Sequence, residues 1–256
     1  MPQPLLPVGE LISSGWDRFL ADGKRNLELS VRFLLSSVVI FGSAFLSQNM
    51  PLTGQLFVNV TAILVAAVIN VHTMVTLTDF ILRRDADPSK PNEPSLEIGR
   101  KLFWPFALVA VLQALAVLGG LALFVIPGIY LSVLFSYSIL MLIEEDRRGL
   151  NALASSADLI KGHWWGVFGR SLVSGVMVGL LISVSTLILL IVVGLFIGMD
   201  KIFNFATYAT ADTSVANPLA DGIQALINGI VSSIFIPLAI IYQVKIFHSL
   251  KKSRNS

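Results

Sequence analysis

Gly119-Gly120-Leu121-Ala122-Leu123-Phe124-Val125-Ile126-Pro127-Gly128 lies inside an uncharged run of 42 residues, Leu102 to Ile143, that ends at Glu144-Glu145-Asp146-Arg147-Arg148. A single straight helix of that length would reach about 63 Å at 1.5 Å per residue. A bilayer's hydrocarbon core is roughly 30 Å thick and takes about 20 residues per crossing. The run must therefore fold back once. Gly119, Gly120, Pro127 and Gly128 are the available breakers, and a proline suits the first turn of a returning helix. The competing reading is a hairpin buried in a large soluble core. It fails because the rest of the chain has the same apolar character.

The 256 residues are 55% hydrophobic and 13% charged. Soluble domains carry about 25% charged residues. Mean hydropathy is +0.79. The expected fold is an all-α polytopic membrane protein in one membrane domain over residues 1–256. Six transmembrane helices would form three hairpins, with amphipathic interfacial helices on the cytoplasmic side. The net charge of +2 fits lysine and arginine beside a membrane better than a nucleic-acid footprint. Without cysteine there is no disulfide, thiolate ligand, cysteine nucleophile or lipidated cysteine.

The spans read as about 27–46, 56–82, 102–119, 126–143, 171–198 and 222–242. Residues Met1 to Pro7 read as a loose tail. From 8 to 20, Val8, Leu11, Ile12, Trp16 and Phe19 share one helical face opposite Glu10, Ser13, Ser14 and Asp17. That pattern predicts a helix in the headgroup plane; a short soluble cap helix and a cleaved signal peptide are the alternatives. Pro88, Pro91 and Pro94 hold a charged loop extended, and a further short helix is expected near 95–103. Over 149–165, Leu150, Leu153, Ala154, Ala157, Ile160 and Trp164 form an apolar stripe, with Trp164 and Trp165 where an aromatic belt is expected. Met199 to Asp221 is the longest outer loop, and Pro237 is a kink site in the last span. Segments of a weak repeat precede each hairpin: Leu11-Ile-Ser13-Ser14 resembles Leu153-Ala-Ser155-Ser156.

Charge orients the chain. Of 18 lysines and arginines, 16 fall in segments assigned inside, Arg32 at the inner end of the first span, and only Lys201 in the outer loops. The positive-inside rule then predicts cytoplasmic termini and an even number of spans.

No catalytic pattern stands out. His72, His163 and His248 lie in separate segments with no ligand at helical spacing, so no metal or cofactor is implied. Glu144-Glu145-Asp146 before Arg147-Arg148 reads as a solvated stop. Asn59-Val60-Thr61 matches a glycosylation acceptor but falls within a span. Ser171, Gly175, Gly179 and Ser183 recur every four residues, a spacing that lets helix backbones approach closely, within one protomer or across a homodimer seam. A substitution such as Gly179→Leu is expected to disrupt one or the other.

Polar residues inside spans are the functional pointers. Span two carries Asn70, His72, Thr76 and Asp79, the last three on one stripe leading to Arg83; Gln113, Gln224, Asn228 and Ser232 are further candidates. Arg32 lies about 6 Å inward from Glu28, and Asp79 the same distance inward from Arg83. Equal depth predicts an Arg32–Asp79 ion pair, extended by His72 and Thr76.

Val8-Gly-Glu-Leu-Ile-Ser-Ser-Gly-Trp16, Phe124-Val-Ile-Pro-Gly-Ile-Tyr130 and Leu153-Ala-Ser-Ser-Ala-Asp-Leu-Ile-Lys-Gly162, in that order, resemble a bacterial family of six-span inner-membrane proteins with no settled activity. The same fold occurs as the membrane domain fused to some glycerophosphodiester phosphodiesterases. The resemblance implies a fold and a location. Those enzymes need a separate barrel of acidic and histidine ligands that these residues do not supply, so hydrolysis is not carried over. The expected function is therefore non-catalytic: a membrane scaffold or regulator working through lipids, a second copy or a membrane-protein partner. The alternative is a small transporter using the polar track of span two.

Overall fold

The computed structural model describes residues 5–87, 96–197 and 218–255. The expected tail Met1–Pro4, most of the outer loop from Met199 and the proline-rich loop lie outside them. The described residues contain helices and no strand: α1 (Val8–Ala21), α2 (Gly23–Ser30), α3 (Arg32–Ser47), α4 (Leu52–Ala86), α5 (Leu96–Lys101), α6 (Phe103–Leu123), α7 (Val125–Leu134), α8 (Ser138–Glu145), α9 (Leu150–Ile160), α10 (Trp164–Ile197) and α11 (Pro218–Asn255). Six helical stretches are long and apolar enough to cross a membrane: Gly23–Ser47, Leu52–Ala86, Phe103–Leu123, Val125–Glu145, Trp164–Phe196 and Gly222–Arg254. The chain is an all-α polytopic membrane protein. Large apolar side chains along α4 and α10, among them Phe57, Ile63, Leu64, Leu180, Leu187 and Leu195, are exposed. In water such faces would be untenable; in hydrocarbon they cost nothing.

Contacts divide the chain into two compact units. The first holds residues 1–29, 71–177 and 237–256; the second holds 30–70 and 178–236. Helices α4, α10 and α11 each contribute to both.

The turn between α6 and α7 differs from the sequence expectation. Gly119 and Gly120 do not break the helix, which continues to Leu123. The break is one extended residue, Phe124, with φ −162° and ψ 154°. The small residues serve the approach of the two helices instead. A Cβ on Gly120 would lie 3.0 Å from Gly128 Cα, and one on Gly128 would lie 2.9 Å from the backbone nitrogen of Leu121. Pro127 sits in the first turn of α7, where its missing N–H is not needed.

Span four is itself broken between α7 and α8. Ser156 on α9 repairs the break: its hydroxyl accepts from the Tyr137 N–H at 3.2 Å and donates to the Leu134 carbonyl at 2.8 Å. Ser156 and Ser138 are fully buried, and Tyr137 is nearly so, so water cannot replace those bonds. The buried face of α9 is Ala152, Leu153, Ser156, Leu159 and Ile160, with Leu150 exposed. It packs with Val75, Phe106, Val109 and Leu142. The helix stops short of the predicted 165, because Gly162 takes φ +85°, a conformation glycine adopts freely. Trp164 and Trp165 consequently open α10. Trp164 stacks between Tyr130 and Phe168, with ring centroids 5.5 and 5.1 Å away, and Trp165 is exposed.

Leu5–Pro7 are not loose. Arg170 donates to the Leu6 carbonyl at 2.7 Å and the Leu5 carbonyl at 3.1 Å, and the Leu6 N–H donates to Ser249 Oγ at 2.9 Å. In α1, Leu11 and Gly15 are buried and Trp16 is partly exposed; a Cβ on Gly15 would meet the Tyr242 ring.

In the second unit, α3 packs on α11 through Gly222 against Phe41 and Gly229 against Ser37 and Leu34. Pro237 lies within α11 and has no N–H to give the Ser233 carbonyl one turn back. The Ser30 hydroxyl donates to that carbonyl instead. The helix continues through a proline because a neighbour supplies the missing donor.

Candidate functional site

The stripe on α4 is packed rather than open. Thr73, Thr76 and Asp79 are buried and His72 is half-buried. The Thr76 hydroxyl donates to its own helix, to His72 O at 2.9 Å and Thr73 O at 3.0 Å. Gly99 of α5 closes over this face; a Cβ there would lie 2.6 Å from His72 Nε2 and 2.9 Å from Thr76 Cγ2. The Asp79 carboxylate is held by Arg83, at 2.9 Å. The expected partner was Arg32. A residue one turn along the same helix needs no particular helix rotation to reach its partner, so the local pair wins. Arg32 and Asn70 belong to the second unit. Gln224 and Asn228 bond each other at 3.0 Å and are exposed, while Gln113 is half-buried.

Gly175 and Gly179 have room for a Cβ with nothing within 4 Å. Gly175 and Ser183 are exposed and Ser171 and Gly179 half-buried. Neither Gly175 nor Gly179 is thus in a close helix contact among the described residues, whereas the Ser171 side chain lies beside the Tyr137 hydroxyl.

The charged side chains converge elsewhere, at the ends of four helices of the first unit. His248 of α11 is central. Its Nδ1 lies 2.6 Å from Asp85 Oδ2 at the end of α4, and its Nε2 lies 3.5 Å from Glu144 Oε2 at the end of α8. With a carboxylate at each nitrogen, both nitrogens donate and the ring is an imidazolium. Lys245 stands 3.7 Å from Asp85, and Lys251 bridges Glu144 at 2.9 Å and Glu145 at 2.7 Å. Asp22, capping the C-terminus of α1, joins Arg18 at 3.0 Å and Arg84 at 2.9 Å, and Arg18 also donates to the Arg84 carbonyl. This junction ties α1, α4, α8 and α11 together. The trio Asp85–His248–Glu144 has metal-ligand residue types but the wrong geometry, since its two carboxylates sit on opposite nitrogens and share no centre. No metal-holding group is found among the described residues. Beyond it, Asp146 takes φ 53°, and the Arg148 guanidinium hydrogen-bonded to its carboxylate lowers its pKa.

Glu144 and Glu145 are thus not merely a solvated stop, and His248 is not isolated. Sequence spacing could not reveal this, because the partners are 104 to 163 residues apart. The one available signal was that each charge closes an apolar run.

Two cavities adjoin the junction. One of about 440 Å³ is lined by Leu6, Pro7, Glu10, Asp85, Lys245, His248, Ser249 and Lys252. The other, about 260 Å³, lies beside Glu145, Ser155, Asp158, Lys251 and Arg254.

Removing the imidazolium tests the junction. His248→Ala is expected to lower unfolding stability in detergent by about 1 kcal/mol, because the partners are partly exposed and each carboxylate keeps a lysine. The loss should shrink in high salt. A loss that does not depend on salt would mean that packing, not charge, was removed.

No family model, curated protein or solved structure matches the chain.

Proposed function

We propose that this protein is a non-catalytic scaffold or regulator in a bacterial inner membrane, with both termini cytoplasmic, engaging membrane lipids or membrane partners. One observation carries the reading: the ionisable groups that converge do so in mutually neutralising pairs between helices, around His248 and Asp22. A catalyst or proton relay keeps an acid or base free to change state. Here the charges of Asp22, Asp85, Glu144 and His248 are spent on holding one helix end to another. The asymmetric placement of lysine and arginine supports the orientation, and the sequence resemblance supports the bacterial membrane. The packing of Gly99 over His72 and Thr76 weighs against a water-filled transport track.

Purified protein in liposomes tests the reading. The expected result is no proton or solute flux above protein-free vesicles, together with reproducible enrichment of particular lipids or membrane proteins over an unrelated six-span control. Flux that Asp79→Asn abolishes would establish the transporter instead.

A further inference from the structure

The 440 Å³ cavity beside His248 has walls of three kinds. Lys245, Lys252 and His248 supply positive charge, Glu10 and Asp85 negative charge, and Leu6 and Pro7 an apolar edge. Not all these charges are engaged equally. Asp85 is turned to His248 at 2.6 Å and to Lys245 at 3.7 Å. A lysine carries three donors, so Lys245 keeps donors to spare. Lys252 is exposed and has no acid within ion-pair distance among the described residues. The Ser249 hydroxyl accepts from the Leu6 N–H, which leaves its own proton to give. His248 is also met by Glu144, and Asp85 is shared with Lys245, so the positive charge left without a carboxylate in ion-pair reach among the described residues is that of Lys252.

The position matters as much as the charge. The uncharged run of α11 ends at Val244, and Lys245, Ser249 and Lys252 follow within about 12 Å along the helix. The cavity therefore opens where hydrocarbon gives way to headgroups. Arg170 and Ser249 hold Leu5–Leu6 along one wall, so the site is built from fixed backbone as well as mobile lysines.

We propose that this cavity binds a singly charged phosphodiester, the headgroup of an anionic phospholipid, with Lys245 and Lys252 on the phosphate oxygens and Ser249 as a hydroxyl donor. The two carboxylates disfavour a phosphomonoester, whose second negative charge they would repel. Leu6 and Pro7 face the glycerol and first acyl carbons. The proposal rests on the lipid-engaging reading above and assigns it a place.

The test uses the full chain in phosphatidylcholine nanodiscs or mixed micelles, titrated with phosphatidylglycerol and read by native mass spectrometry. Saturable binding is expected. Lys252→Gln should weaken it about fivefold, and Lys245→Gln with Lys252→Gln about 25-fold, as the attraction of one basic residue to anionic headgroups implies. Lys161→Gln, at the far end of α9, should change nothing. Lys252 is exposed, so its substitution leaves folding unthreatened; the thermal transition of each variant confirms that. Equal affinity in wild type and the Lys252 variant overturns the site while leaving lipid engagement intact. Retention of neither lipid nor membrane partner overturns the broader reading as well. Displacement of phosphatidylglycerol by millimolar inorganic phosphate, with the same lysine dependence, assigns the site to soluble phosphate and overturns the lipid source.

Discussion

Ser156→Ala is expected to destabilise the protein by about 3 kcal/mol, more than any other single loss of a hydroxyl. The side chain bridges two backbone groups at the break between α7 and α8, the Tyr137 N–H and the Leu134 carbonyl. An alanine leaves both unmet in a buried place, at roughly 1–3 kcal/mol each. Volume barely changes, so the loss reports hydrogen bonding rather than packing. Ser155→Ala is the control: Ser155 is half-buried, lines the smaller cavity and should cost under about 0.5 kcal/mol. Reversible unfolding in mixed micelles gives both numbers. If the two variants are equally stable, the break is held by packing alone.

The second large effect lies at the α6–α7 hairpin. Gly128→Val is expected to cost about 3 kcal/mol or to abolish folding. A Cβ at 128 runs into the Leu121 side chain and lies 2.9 Å from the Leu121 backbone nitrogen. Backbone cannot rotate away as a side chain can, so the helices must part and the overpacking penalty falls near the upper end of its usual range. Gly119→Val provides the internal comparison, since a Cβ there meets nothing within 4 Å. If glycine served as a helix breaker, both substitutions would act alike, or Gly119 would matter more. The close-approach account requires Gly128→Val to be the severe one, as judged by yield of monodisperse protein and by unfolding midpoint.

That contrast separates what a linear reading can and cannot detect. Gly119, Gly120, Pro127 and Gly128 marked the hairpin to within a few residues because breakers cluster where chains reverse. Which of them touches a neighbour depends on how two helices are rotated about their own axes. Gly120 and Gly128 face each other and Gly119 does not. The same limit applied to charge. Depth, which sequence position encodes well, offers Arg32 to Asp79, but the carboxylate is held by Arg83, one turn along its own helix. The stripe on α10 showed the converse: small residues at the right spacing, yet an added Cβ at Gly175 or Gly179 meets nothing within 4 Å among the described residues.

The sequence by itself determined the fold class, the six apolar stretches and the charged boundaries between them. These follow from one-dimensional quantities, the length of an uncharged run against the thickness of hydrocarbon and the cost of a charge inside it. Only the tertiary structure decided which distant groups meet: Asp85 with His248 and Glu144, Ser156 with the break in span four, Ser30 with the carbonyl that Pro237 leaves free. Each of those contacts joins separate helices, at a mutual rotation set by packing. A polar side chain in a membrane protein takes whichever partner that rotation presents, because leaving it unpaired costs more than any local preference.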